Sequence, residues 1–72
     1  MQYIIQMTCI NEKPSLNLRK YDVVYLDNVF GREKFTKDKS SAYKFLSLER
    51  VNSLCHKIES NGNFKTSIIK TY

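Results

Sequence analysis

The stretch from Phe35 to Gly62, FTKDKSSAYKFLSLERVNSLCHKIESNG, contains the one segment long and periodic enough to specify a helix, so the remaining chain must pack on it. Leu48, Val51, Leu54, Cys55 and Ile58 recur at three- and four-residue spacings, which puts them on one face of a 3.6-residue period. Glu49, Arg50, Asn52, Ser53, His56, Lys57 and Glu59 fill the other arc. Ser47 stands where a hydroxyl can accept from a free first-turn N–H, and Glu49 suits the positive end of the helix dipole. Lys57 suits the opposite end, and Asn61-Gly62 tolerates the positive φ of a helix stop, so the helix should end near Ser60. A helix this short is marginal in water and draws its stability from burying its apolar stripe, here against a sheet. Just upstream, Asp38 to Phe45 reads as a separate short helical turn capped by Asp38, with a break near Leu46 and Ser47.

The strands come from period-two patterning. Gln2 to Ile10 carries Tyr3, Ile4, Ile5, Met7, Cys9 and Ile10, apolar on both faces, as in a central strand. With Met1 at its head, no targeting peptide is expected. Asn11 to Leu18 is a loop rich in turn formers and includes Pro14; its Leu16 and Leu18 are expected to tuck under the sheet edge. Arg19 to Leu26 alternates, with Tyr21, Val23 and Tyr25 on one side and Asp22, Val24 and Leu26 on the other. Asp27-Asn28 is expected to turn the chain into a third strand from Val29 to Thr36, with a bulge at Gly31. After the helix, Phe64 to Thr71 is a closing strand. The fold class is therefore α+β: residues 1–72 form a single domain in the order β-β-(β)-α-β, with a small antiparallel sheet of three to four strands and the helix on one face.

A chain of 72 residues hides only a modest share of its surface, about 60%, which disfavours a deep active-site pocket. The single histidine, His56, lies on the polar arc while Cys55 turns inward, so the two diverge and do not converge as a base and nucleophile would. Two cysteines and one histidine are too few for a zinc site, and two glycines do not build a phosphate loop. We therefore expect no enzyme activity, no metal and no cofactor. Cys9 and Cys55 sit within apolar patterns, and no apolar run approaches the length of a membrane span; both point to reduced thiols in a cytoplasmic protein.

Two surfaces are left as binding candidates. The net charge of +5 and the run Arg32, Lys34, Lys37, Lys39 and Lys44, with Phe30, Phe35 and Tyr43 interleaved, match the mix of cations and stacking faces that holds single-stranded nucleic acid. The competing reading makes these aromatics core and the lysines a solvated coat, and it gains from Glu33 and Asp38, which interrupt the patch. The second surface is the sheet face left uncovered by a single helix. Given a suitable register, Tyr3, Tyr21 and Tyr25 would share it, and tyrosines suit protein interfaces because they offer large area with little rotamer entropy to lose. The alternative turns them toward the helix. Open sheet faces could also pair two copies into a homo-oligomer.

Thr36, Asp38, Ala42, Phe45, Ser47 and Glu49, in the arrangement T-x-D-x-x-x-A-x-x-F-x-S-x-E between an early strand pair and a last strand, give the chain a layout that resembles very small accessory proteins of bacteriophages and prophages of Gram-positive bacteria. That resemblance implies a non-enzymatic protein in the cytoplasm of a bacterial host, acting by binding and inhibiting or modulating a host protein. Such targets include RNA polymerase, replication proteins and components of antiphage defence. A small basic nucleic-acid-binding domain is the alternative.

Overall fold

The computed structural model describes residues 1–28 and 34–71, leaving aside the side chains of Leu16 and Asn28. Four strands, β1 (Gln2–Cys9), β2 (Val23–Asn28), β3 (Lys34–Thr36) and β4 (Phe64–Thr71), form one antiparallel sheet in the order β3-β2-β1-β4. A single helix, α1 (Leu48–Ser60), packs on one face. The α+β class and the β-β-β-α-β order agree with the sequence reading.

β1 is central, as its two-sided apolar pattern suggests. It pairs along its whole length with β4, from Gln2 opposite Thr71 to Cys9 opposite Phe64, and its later half pairs with β2. Its first half is paired differently: Tyr3 exchanges two 2.8 Å backbone hydrogen bonds with Phe45. Thus Ala42 to Phe45 runs extended and does not continue a helical turn. Within Asp38–Phe45 only Lys39–Ser41 forms a 3-10 turn, with the Asp38 carboxylate accepting from the Ser40 N–H, as the capping pattern indicated.

The helix bounds agree with those read from the sequence. Ser47 Oγ accepts from the Arg50 N–H at 3.3 Å, and the chain turns at Gly62 with φ of 73°. Val51, Cys55 and Ile58 are buried and Leu54 is half-buried, whereas Leu48, at the start of the stripe, remains 45% exposed. The buried side chains of the helix share one core with Ile5, Met7, Cys9, Val24, Leu26 and Phe64 of the sheet and with Phe45 and Leu18 of the connections. Ile5, Met7, Cys9, Leu26 and Val51 have no solvent exposure, and no described polar side chain is buried. Cys9 and Cys55 are both free and buried.

Two further expectations change. β2 begins at Val23 and not at Arg19, because Arg19 to Asp22 closes a turn: the Asp22 carboxylate accepts from the Arg19 N–H at 2.9 Å, and the Asp22 N–H donates to the Arg19 carbonyl at 3.1 Å. That turn places Tyr21 at φ of 73°, an uncommon conformation for a bulky side chain. Asp27-Asn28 continues β2, with a register shift between Leu26 and Asn28 where it pairs with β3. The expected strand from Val29, including Gly31 and Arg32, is described only from Lys34, and the earlier part lies outside the described residues.

Truncating the wholly buried Ile5 to alanine should cost about 2–5 kcal/mol, since it removes buried methyls and leaves a cavity in a packed layer. Replacing Ser47 with alanine should cost about 1 kcal/mol through loss of the cap. Urea denaturation followed by far-UV circular dichroism checks both; near-equal losses would contradict this core assignment.

Candidate protein-binding surface

Register fixes which side chains share the face away from α1. Opposed residues in a ladder point to the same side, and successive residues alternate. Met7 faces Val24 and Thr66 on the helix side; Gln6 faces Tyr25 and Ser67 on the other side. The helix-free face therefore presents Ile4, Gln6 and Thr8 from β1, Val23 and Tyr25 from β2, and Ser67 and Ile69 from β4. Its apolar part is small but real. Val23 is 40% exposed, Tyr25 and Ile69 are half-buried, and Ile4 is buried beside Ile69, apart from the main core.

The three nominated tyrosines do not share this face. Tyr25 is on it, opposite Gln6 and Thr36. Tyr3 differs from Gln6 by an odd number of positions, so it lies on the helix side, half-buried against the core, with its hydroxyl 3.6 Å from the Met1 sulfur. Tyr21 belongs to the turn before β2, where it is 68% exposed with the Lys20 ammonium 5.2 Å from its ring centroid. The expected common face required Tyr21 to be in a strand, and the Asp22-closed turn removes it.

The basic run also separates into parts. Lys34, Lys37 and Lys39 are exposed on β3 and the turn after it, Lys44 is exposed on the extended segment before α1, and Arg32 lies outside the described residues. The described aromatics between them are engaged in packing. Phe35 meets Phe64 from the opposite edge of the sheet at 5.5 Å between centroids, and Tyr43 meets Phe45 at 4.7 Å. Lys44 lines a cleft of about 230 Å³ together with Tyr43, Phe45, Leu46, Ser47 and Arg50. Among the described residues, no group of three or more His, Cys, Asp or Glu is placed to hold a metal ion. None of their helices is long and apolar enough to cross a membrane. Burial pushes the Cys55 thiol up, while His56 beside it is exposed and points elsewhere.

A contact that the sequence does not announce joins α1 to β4. Glu59 Oε1 accepts from the Thr66 backbone N–H at 3.0 Å and from the Thr66 hydroxyl at 2.8 Å. These bonds, the backbone one foremost, hold the Glu59 carboxyl below its usual value, with His56 and Lys65 adding smaller contributions of the same sign. The Ser40 hydroxyl and N–H do the same to Asp38. Glu59 has no local sequence signal for this role, because its partner is reached only after the turn at Gly62.

With this geometry in view, comparison of the chain with protein-family models, with curated proteins and with solved structures finds no match. The class is set by the fold itself: a small α+β domain whose sheet has one face covered by the helix and, among the described residues, no helix on the other.

Because both carboxylates are bonded more strongly as anions in the folded state, their contributions are present above their unfolded values, near 4.5 for Glu59 and 3.8 for Asp38. The contributions fade as pH falls through the lower folded values. Glu59→Gln combined with Asp38→Asn should therefore flatten the loss of stability below about pH 4.5 and leave the neutral-to-acid slope above it unchanged. Thermal melts across that range measure it.

Proposed function

We propose that this chain is a non-enzymatic binding protein, of the kind found among the phage accessory proteins it resembles, which inhibits or modulates a protein in the cytoplasm of a bacterial host. The observation that carries the reading is the helix-free face. Val23 and Tyr25 on β2 and the Ile4–Ile69 pair across β1 and β4 flank Gln6 and Thr8, which stand between β2 and β4, so the face mixes apolar contact area with hydrogen-bonding side chains, as protein interfaces do. A component of antiphage defence is one host target of this type.

The nucleic-acid alternative receives less support. Its described cations, Lys34, Lys37, Lys39 and Lys44, are exposed, but Phe35 and Tyr43 are committed to Phe64 and Phe45, so these two rings are not free to stack on bases.

The test is an affinity pull-down of tagged protein from bacterial lysate, with and without nuclease and at two salt concentrations, read by mass spectrometry. A host protein retained under all conditions, and captured at least tenfold less by a Val23→Ser/Tyr25→Ala variant with an unchanged circular dichroism spectrum, is the expected result, since central interface anchors typically contribute more than ~1–2 kcal/mol. Retention only of nuclease-sensitive, salt-labile material would move the assignment to nucleic acid, whose phosphate contacts weaken steeply with salt.

A further inference from the structure

The outer edge of β4 is a second surface, distinct from the open face. In an antiparallel ladder, alternate residues bond inward and outward. The Ile10 N–H donates to the Asn63 carbonyl at 2.9 Å in the register that pairs Gln2 with Thr71, so Lys65, Ser67, Ile69 and Thr71 bond inward to β1. Phe64, Thr66, Ile68 and Lys70 consequently aim their N–H and C=O groups away from the sheet. Among the described residues no other strand pairs there. The opposite edge strand, β3, is three residues long, whereas β4 has eight, and long unpaired edges are templates for strand addition.

Glu59 occupies one position on this edge. Its carboxylate accepts from the outward Thr66 N–H, where the carbonyl of an added strand would otherwise sit. We propose that the β4 edge is a strand-addition site for an extended, acidic peptide segment of a partner protein, with the Glu59 side chain as a displaceable stand-in for the missing strand. This rests on the reading of the chain as a binding protein and specifies the chemistry of its partner.

Charge selects the occupant. β4 contains Lys65 and Lys70, both exposed, and no acidic residue; they project from opposite faces, so an added strand meets one cation on each side. Carboxylates on the incoming strand opposite these two positions are favoured, because unlike charges directly across a ladder attract. A second copy of this chain would instead bring its own Lys65 and Lys70 to the seam, on a protein already at +5. Ile68, 38% exposed between the lysines, offers the seam an apolar contact.

The probe is an acetylated, amidated octapeptide of threonine, valine and isoleucine with glutamates at the positions facing Lys65 and Lys70, titrated into the full-length ¹⁵N-labelled protein. Saturable shifts centred on residues 64–70, with slowed exchange of the Ile68 and Lys70 amides, are expected. Ile68→Pro removes an outward donor without touching the ladder to β1, so the sheet should persist and peptide binding should disappear. Should that variant fail to fold, Lys65→Glu/Lys70→Glu provides the same discrimination and should weaken binding roughly tenfold or more, while a peptide with lysines in place of glutamates regains it. Glu59→Ala should tighten binding severalfold.

Equal affinity for acidic and basic peptides, weaker binding by Glu59→Ala, or a β4-mediated dimer in sedimentation would overturn the proposal. The Val23→Ser/Tyr25→Ala variant should bind the peptide as the parent does. A lysate partner lost by that variant, together with no peptide binding by the parent, sinks the edge proposal and leaves the open-face reading intact.

Discussion

Two-sided pairing of β1 is the condition on which the rest of this structure depends. Its odd-numbered residues bond toward β2 and the Phe45 segment, its even-numbered residues bond toward β4, and the same parity sends Ile5, Met7 and Cys9 beneath the helix. A slip of one residue in either pairing would turn these fully buried side chains into solvent and bring Gln6 and Thr8 under α1. Uncompensated burial of such groups costs on the order of 1–3 kcal/mol each, a large part of what a domain this small has to spare. The register is thus fixed by burial on one face, and the composition of the other face follows from it.

The helix-free face mixes polar and apolar side chains. Its single buried described member, Ile4, sits next to Ile69, while Gln6 and Thr8 stand on β1 between Tyr25 and Val23 of β2 and Ser67 and Lys65 of β4. The helix side is the reverse: its described core contains no polar side chain, and even the two thiols serve as small hydrophobes. Rings from the two edge strands, Phe35 and Phe64, meet over that side. Phe35 and Tyr43, which looked available for stacking on a ligand, are thus engaged in packing, and Lys34, Lys37 and Lys39 beside them are exposed.

The helix bounds were legible, since cap and stop are local, and Val51, Cys55 and Ile58 behave as their spacing dictates, although Leu48 at the head of the stripe stays exposed. So were β1 and β4, whose alternation is set by burial. What failed to show were features settled by a single local hydrogen bond or by a distant partner. The Asp22 carboxylate captured the Arg19 N–H and withdrew Tyr21 from the strand. Phe45 found Tyr3, and that pairing drew the segment out of helical geometry. Of the candidate binding residues, Tyr25 stands on the open face; Tyr3 was misplaced because its face depends on a parity that only the register with β2 and β4 fixes. Val23 and Ile69 carried the same alternating signal as Tyr25, which could have found them. Glu59 could not have been found this way, because nothing near it in sequence marks Thr66 as its partner.

The order β3-β2-β1-β4 also governs how the chain reaches this state. The partners of β1 on its β4 side lie far along the sequence, the extreme pair being Gln2 and Thr71, 69 positions apart. Closing so long a loop carries an entropic cost before the ladder returns any stabilisation, and non-local pairing of this kind slows folding. On a nascent chain, β1 and β2 can meet early, while the even-numbered edge of β1 waits unpaired until Phe64–Thr71 has been made. The strand with the most buried apolar side chains, Ile4, Ile5, Met7 and Cys9, is thus the one longest without its second neighbour, and that interval is when the chain is most exposed to aggregation.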